Sequence, residues 1–140
     1  EKYKLLIGER TAEDIKIGFS NIFDPNKKEK LEVRGRNLIT GLPDTIEITQ
    51  DETKLALEES IQKIVKATTN VLEQTPPELS GDIVEKGIIL TGGGAMLRGL
   101  PELLEKELQV PILIAESPLT CVAEGTGTLL NNIALLEEDQ

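Results

Sequence analysis

The sequence predicts an α/β chain: a parallel-type sheet flanked by helices, preceded by a small α+β portion. Three observations carry that expectation. An apolar run, Ile88 to Leu90, stops at Thr91 and three consecutive glycines, and an amphipathic stretch from Leu100 to Leu108 follows. Two short segments, 31–34 and 45–49, alternate apolar and polar residues, as half-buried strands do. Between them and the glycines, Leu57, Ile61, Ile64, Val65, Thr68, Val71 and Leu72 recur at steps of three and four, the period of one helix face.

Taken in order, residues 1–18 read as helix in two pieces around Gly8, with Thr11 and Asp14 spaced as a weak capping pair. Residues 19–28 hold the turn signal Asp24-Pro25-Asn26 and a charged, solvated run. The two alternating strands pair antiparallel through the break at 40–43. A long amphipathic helix then spans 52–74. Pro76 and Pro77 end it, and Pro77 suits the first turn of a short helix over 78–85. The glycine strand and its helix come next, then a strand over 111–115 and a final helix from about Thr120. No internal repeat or low-complexity tract interrupts this order.

Composition narrows the function classes. The chain has 140 residues, 39% hydrophobic, with two Phe, one Tyr and no Trp, so its core must be aliphatic. The net charge of −10, without a basic stripe, argues against nucleic acid or anionic lipid as a partner of this portion. No apolar run is long enough to span a bilayer, the start lacks a signal-peptide core, and a cytosolic setting is expected. Cys121 is the single cysteine and there is no histidine, which excludes an internal disulfide, ordinary zinc sites and histidine-based catalysis within these residues. Without an opening Met, and with residues 3–7 reading as the end of an element already under way, the chain is expected to be a fragment.

Glycines at the carboxyl end of a parallel strand remove the Cβ atoms that keep a flat ligand off the backbone. A dinucleotide fingerprint counted from Gly92 fails at Leu97, and a P-loop counted from Gly94 fails at Leu100 and Pro101. The triple glycine is thus a nucleotide-binding turn of another kind or a tight strand-to-helix turn. Glu13 and Lys16 would share a helix face, where the carboxylate can accept from ribose hydroxyls and the lysine stem can cover a purine; a plain exposed ion pair is the alternative. Gly125 and Gly127 read as a close-packing site, and Cys121 as a small buried residue.

The blocks KLLIGERTAEDIK (4–16), RGR (34–36), TGLP (40–43), TPPEL (75–79), GIILTGGGA (87–95) and GTG (125–127) occur in this order. Together they resemble the carboxyl-terminal part of the MreB/Mbl family, the bacterial actin homologues, over the whole chain. The resemblance implies the actin-like ATPase (ribonuclease H-like) fold, here a second-lobe fragment with a small α+β outer subdomain. It implies an outer subdomain over 1–52, an inner subdomain over 53–118, and a terminal helix over 119–140 that packs on an absent first lobe. The apolar face of that helix (Val122, Leu129, Leu130, Ile133) would then be exposed in a monomer. Gly92, Gly93, Gly94 and Ala95 would form the adenosine-binding turn. Glu13, Asp14, Ile15 and Lys16 match the helix motif facing it.

ATP would be bound on its adenosine side only; the phosphate loops and magnesium belong to an amino-terminal half. No catalytic residue and no metal ligand is expected here, so these residues alone should lack ATPase activity. The family function implied is a filament subunit that guides cell-wall synthesis and sets rod shape. Its partners would be further copies of itself, the cell-wall elongation machinery, and the inner membrane through regions outside this chain. A chaperone-type or sugar-kinase-type ATPase of the same superfamily is the alternative. Glu124 departs from the family pattern, which suggests an altered subunit or lobe contact.

Overall fold

The computed structural model describes residues 1–26 and 28–131. Two small sheets are joined by one long helix. The first sheet is antiparallel in the order β1 (Leu5–Leu6), β2 (Lys30–Asn37), β3 (Pro43–Thr49). Helix α1 (Glu9–Asp14) continues as a π-helical turn, Ile15–Phe19, between β1 and β2. Helix α2 (Gln50–Glu73) leads to α3 (Pro77–Lys86), and β4 (Ile88–Leu90) pairs in parallel with β5 (Ile112–Ile114) across α4 (Leu100–Leu108). Helix α5 (Cys121–Leu130) follows.

The alternating segments are strands, in the register Leu31 opposite Ile48 and Val33 opposite Ile46. They extend beyond the alternation itself because the hairpin closes tightly. Asn37 Oδ1 accepts from the Ile39 and Thr40 amides, and Asn37 Nδ2 donates to Asp44 at 3.0 Å. The Thr45 amide also donates to Asp44, and these bonds hold its carboxyl below the ordinary range.

The opening of the chain differs from the sequence expectation. Residues 5–6 are extended, not helical, with Leu5 opposite Asn37 and Leu6 opposite Arg36. Helix α1 begins only at Glu9, after Gly8 as N-cap, so Thr11 lies inside its first turn and caps nothing. Sheet pairing wins over local helix preference because β2 would otherwise present an open edge at this end. The close approach requires Gly35: a Cβ there would lie 2.3 Å from the Leu6 carbonyl oxygen.

Helix α2 starts where β3 stops. Thr49 and Glu52 form a reciprocal capping box, the Glu52 amide donating to Thr49 Oγ1 and the Thr49 amide to Glu52 Oε2. The face expected from the periodicity is used in part. Ile61 is buried, Leu57 and Val65 pack beside it, and Ile64 and Val71 are exposed. The main core gathers Ile22, Ile61, Leu97, Leu100 and Leu104, with Leu90, Leu103, Leu108 and Ile112 around it.

The apolar run of β4 predicts a buried parallel-type strand. Ile88 and Leu90 are half-buried, whereas Ile89 is 62% exposed, as are about half of Leu113 and Ile114. The physical reason is that helix α4 covers one face of this two-stranded sheet. Helix α5 is exposed at Val122, Leu129 and Leu130, as expected of a lone chain; Ile133 and the rest of 132–140 lie outside the described residues. Among the described residues, no helix is long and apolar enough to cross a membrane.

Gly35→Val should lower stability by about 2 kcal/mol, since the added bulk meets backbone rather than a movable side chain. Chemical denaturation checks this, with an unchanged midpoint as the contrary result. Glu52 accepts from the Lys2 ammonium, from Tyr3 Oη at 2.6 Å and from the Thr49 amide, which together depress its carboxyl from 4.5 to about 2. A depressed folded-state value stabilises fully above the unfolded value and is lost as pH falls through about 2. Glu52→Ala should therefore cost about 1 kcal/mol at neutral pH, a figure kept small by partial exposure. Melting curves should show the gap between the two proteins closing between about pH 5 and pH 2.

Candidate functional site

β4 ends at Leu90, and the chain turns at its carboxyl end, the side of a parallel strand where ligands sit. Gly92 has φ 82° and ψ 173°, a conformation open to glycine and strained for any residue with a Cβ. A 3-10 turn, Gly93–Met96, follows, anchored in the interior by Ala95 and then Leu97. Its outer side is open. A Cβ at Gly92 or Gly94 would meet no atom within 4 Å, and one at Gly93 would meet only Leu119 Cδ2, at 3.6 Å. Fixed backbone faces unfilled space here, which is what close approach of a planar ligand needs.

The turn is pinned from the loop before α5. The Gly92 amide donates to the Pro118 carbonyl at 2.6 Å, and Thr91 Oγ1 reaches the same oxygen at 3.4 Å. Cys121 is half-buried, with its thiol 2.9 Å from Thr91 Oγ1. Pro118, Leu119 and Thr91 escaped the sequence reading because their pairing spans 27 residues and follows no local motif. Glu124 accepts from the Thr120 hydroxyl at 2.6 Å, a local bond at the start of α5.

Lys16 lies on the π-helical turn, and its ammonium is 2.6 Å from Glu13 Oε2. The exposed ion pair weighed from the sequence is therefore present. Ile15 and Lys16 line a cavity of about 690 Å³ beside β2, β3 and the start of α2. Asp14 and Ile15 line a second, of about 570 Å³. The triple glycine lines neither cavity.

A seam nevertheless joins the two candidate segments. The Ile22 amide donates to the Arg98 carbonyl at 3.1 Å, and Arg98 Nη1 donates to the Gly18 carbonyl at 3.2 Å. Gly99 approaches Asn21 and Phe23 so closely that a Cβ would stand 2.7 Å from the Phe23 nitrogen. The stretch after the glycine turn thus binds the stretch just after Lys16. Arg98 carries no sequence signal for this role, since its partner is 80 residues away.

The profile of the MreB/Mbl protein family matches residues 1–138. The chain belongs to the MreB/Mbl family. It is 58% identical over 132 residues to the cell shape-determining protein Mbl of Bacillus cereus, covering 94% of this chain and 40% of that protein. It is 47% identical over 131 residues to the cell shape-determining protein MreB of Escherichia coli, covering 94% and 38%. Among solved structures, MreB5 of Spiroplasma citri bound to AMPPNP superposes with a TM-score of 0.87 at 34% identity, covering 99% of this chain and 41% of that one. The chain therefore spans about two-fifths of the length of these MreB/Mbl relatives. The fold is α/β and actin-like, as the sequence resemblance implied. Family membership also decides against the chaperone-type and sugar-kinase alternatives.

Proposed function

We propose that this chain is the carboxyl-terminal part of an ATP-binding, actin-like cytoskeletal protein. The complete protein polymerises into filaments at the inner face of the cell membrane and determines rod shape by guiding cell-wall synthesis. The observation that carries the proposal is the open glycine turn at the end of β4, within a chain that superposes over 99% of its length on an AMPPNP-bound MreB5.

In this reading residues 1–52 form the outer subdomain, 53–118 the inner one, and 119–140 the element that packs on the first lobe. The exposed apolar side chains of α5 and the exposed Ile89, Leu113 and Ile114 support such a division, because surfaces of this kind are ordinarily covered. Gly92, Gly93, Gly94 and Ala95 hold the adenosine from one side. Glu13, Asp14, Ile15 and Lys16 face it from the other, the Glu13 carboxylate accepting from ribose hydroxyls and the Lys16 stem covering the base. Self-association into filaments, contact with the cell-wall elongation machinery and attachment to the membrane belong to the complete protein.

Magnesium is expected only with the amino-terminal half, since triphosphate recognition needs charge-assisted bonds and a divalent cation. Among the described residues no group of three or more acidic or Cys side chains is arranged to hold a metal ion.

In the complete protein, Gly93→Val should reduce ATP affinity at least tenfold by placing bulk where the base must lie, an effect on the order of 1.4 kcal/mol or more. Unchanged affinity by calorimetric titration would remove the glycine turn from the site. The 140-residue chain alone should show no ATPase activity and much weaker ATP binding than the complete protein. Magnesium-dependent affinity in the micromolar range for the isolated chain would contradict the half-site assignment.

A further inference from the structure

The turn that carries Lys16 is held from behind by a residue that no motif marks. Gln50, the first residue of α2, is 1% exposed, and its amide is fully engaged. Nε2 donates to the Phe19 carbonyl at 2.8 Å and to Glu29 Oε2 at 2.7 Å. Oε1 accepts from the Asn26 amide at 2.6 Å. Phe19 is the last residue of the π-helical turn, where carbonyls run out of partners along the chain. Ser20, fully buried, closes the same turn by donating its amide and its hydroxyl to the Ile15 carbonyl, at 2.9 and 3.1 Å.

On the opposite side, Arg98 binds the Gly18 carbonyl through its guanidinium and the Ile22 amide through its own carbonyl. The residues just after Lys16 are therefore gripped twice. One grip comes from the beginning of α2, the other from the end of the glycine segment. A π-helical turn is a single short element whose last carbonyls have no partner further along the chain, so outside partners help to hold it.

We infer that Gln50 and Arg98 are positioning residues for nucleotide binding: they set where Lys16 stands relative to the glycine turn while lying outside the ligand's reach. The inference rests on the adenosine-site reading given under Proposed function. It adds that the start of α2, which is also the end of the outer sheet, helps to fix the base side of the site. Removing the Gln50 amide deletes the part-buried hydrogen bonds to the Phe19 carbonyl and from the Asn26 amide, and with them the hold that α2 has on the turn.

The test uses the complete protein, with ATP and inorganic tripolyphosphate as separate probes, both with magnesium. Tripolyphosphate lacks the adenosine, so its affinity reports the phosphate side alone. Gln50→Met and Arg98→Met should each weaken ATP binding on the order of tenfold while leaving tripolyphosphate affinity unchanged. Arg98 is exposed, so its variant decides the matter even where Gln50→Met does not fold. Equal losses for both probes, or a lower melting temperature with both affinities unchanged, would overturn the inference. Lys16→Ala separates the two levels of the argument. If it weakens ATP binding and the positioning variants do not, this inference alone falls. If Lys16→Ala also leaves ATP affinity unchanged, the adenosine reading falls and takes this inference with it.

Discussion

The first turn of α2 is the point on which the rest of the structure depends. Over residues 49–53 it ends the outer sheet, starts the longest helix and secures two loops. Thr49 and Glu52 cap the helix reciprocally. Gln50 joins Phe19, Asn26 and Glu29, and Thr53 Oγ1 returns to the Gln50 carbonyl at 2.9 Å. Glu52 adds Lys2 and Tyr3 from the opening segment. Gln50 and Thr53 are buried, and a buried polar group costs free energy unless its partners are supplied, so these two side chains favour one arrangement of the strands and turns they tie together.

From that knot the packing proceeds outward. The chain leaves the π-helical turn at Ser20 and buries Ile22 among Ile61, Leu97, Leu100 and Leu104. Ile22 thereby carries the outer portion into the same core that supports β4 and α4. The Ile22–Arg98 hydrogen bond fixes the register of that insertion, and the close approach of Gly99 to Phe23 leaves little room for sliding. The glycine turn built on β4 inherits its position from this core. The Lys16 turn, one bend away, inherits its own from the core and the polar knot together.

Much of this was legible in the sequence, and what was not shares a cause. The periods of two and three-to-four revealed β2, β3 and α2, because burial on one face imposes those periods directly. Proline placement marked the boundary of α2 and α3, and the apolar run before the glycines gave β4 at its observed limits. β1 was missed because two residues carry no period, and their extended form is imposed by Arg36 and Asn37, some 30 residues on. The Gln50 hub, the Arg98 clamp and the Pro118 latch were missed likewise, since each is a contact across the fold between unremarkable residues. Of the eight candidate ligand residues, the glycines and the Glu13–Lys16 pair stood out by local chemistry, which for the pair equally describes the surface ion pair they form, whereas Asp14, Ile15 and Ala95 were legible only by resemblance.

The site these residues propose is shallow on its own, which suits a chain spanning two-fifths of its relatives. The glycines face open space and the Lys16 turn borders separate hollows, so in the proposed reading a nucleotide is enclosed only in the complete protein. The most direct measurement of the central claim is photocrosslinking with 8-azido-ATP on the complete protein, followed by peptide mapping. The account predicts that label, competed by ATP, falls on the peptides containing residues 13–16 and 92–96. Specific label confined to other peptides would contradict it.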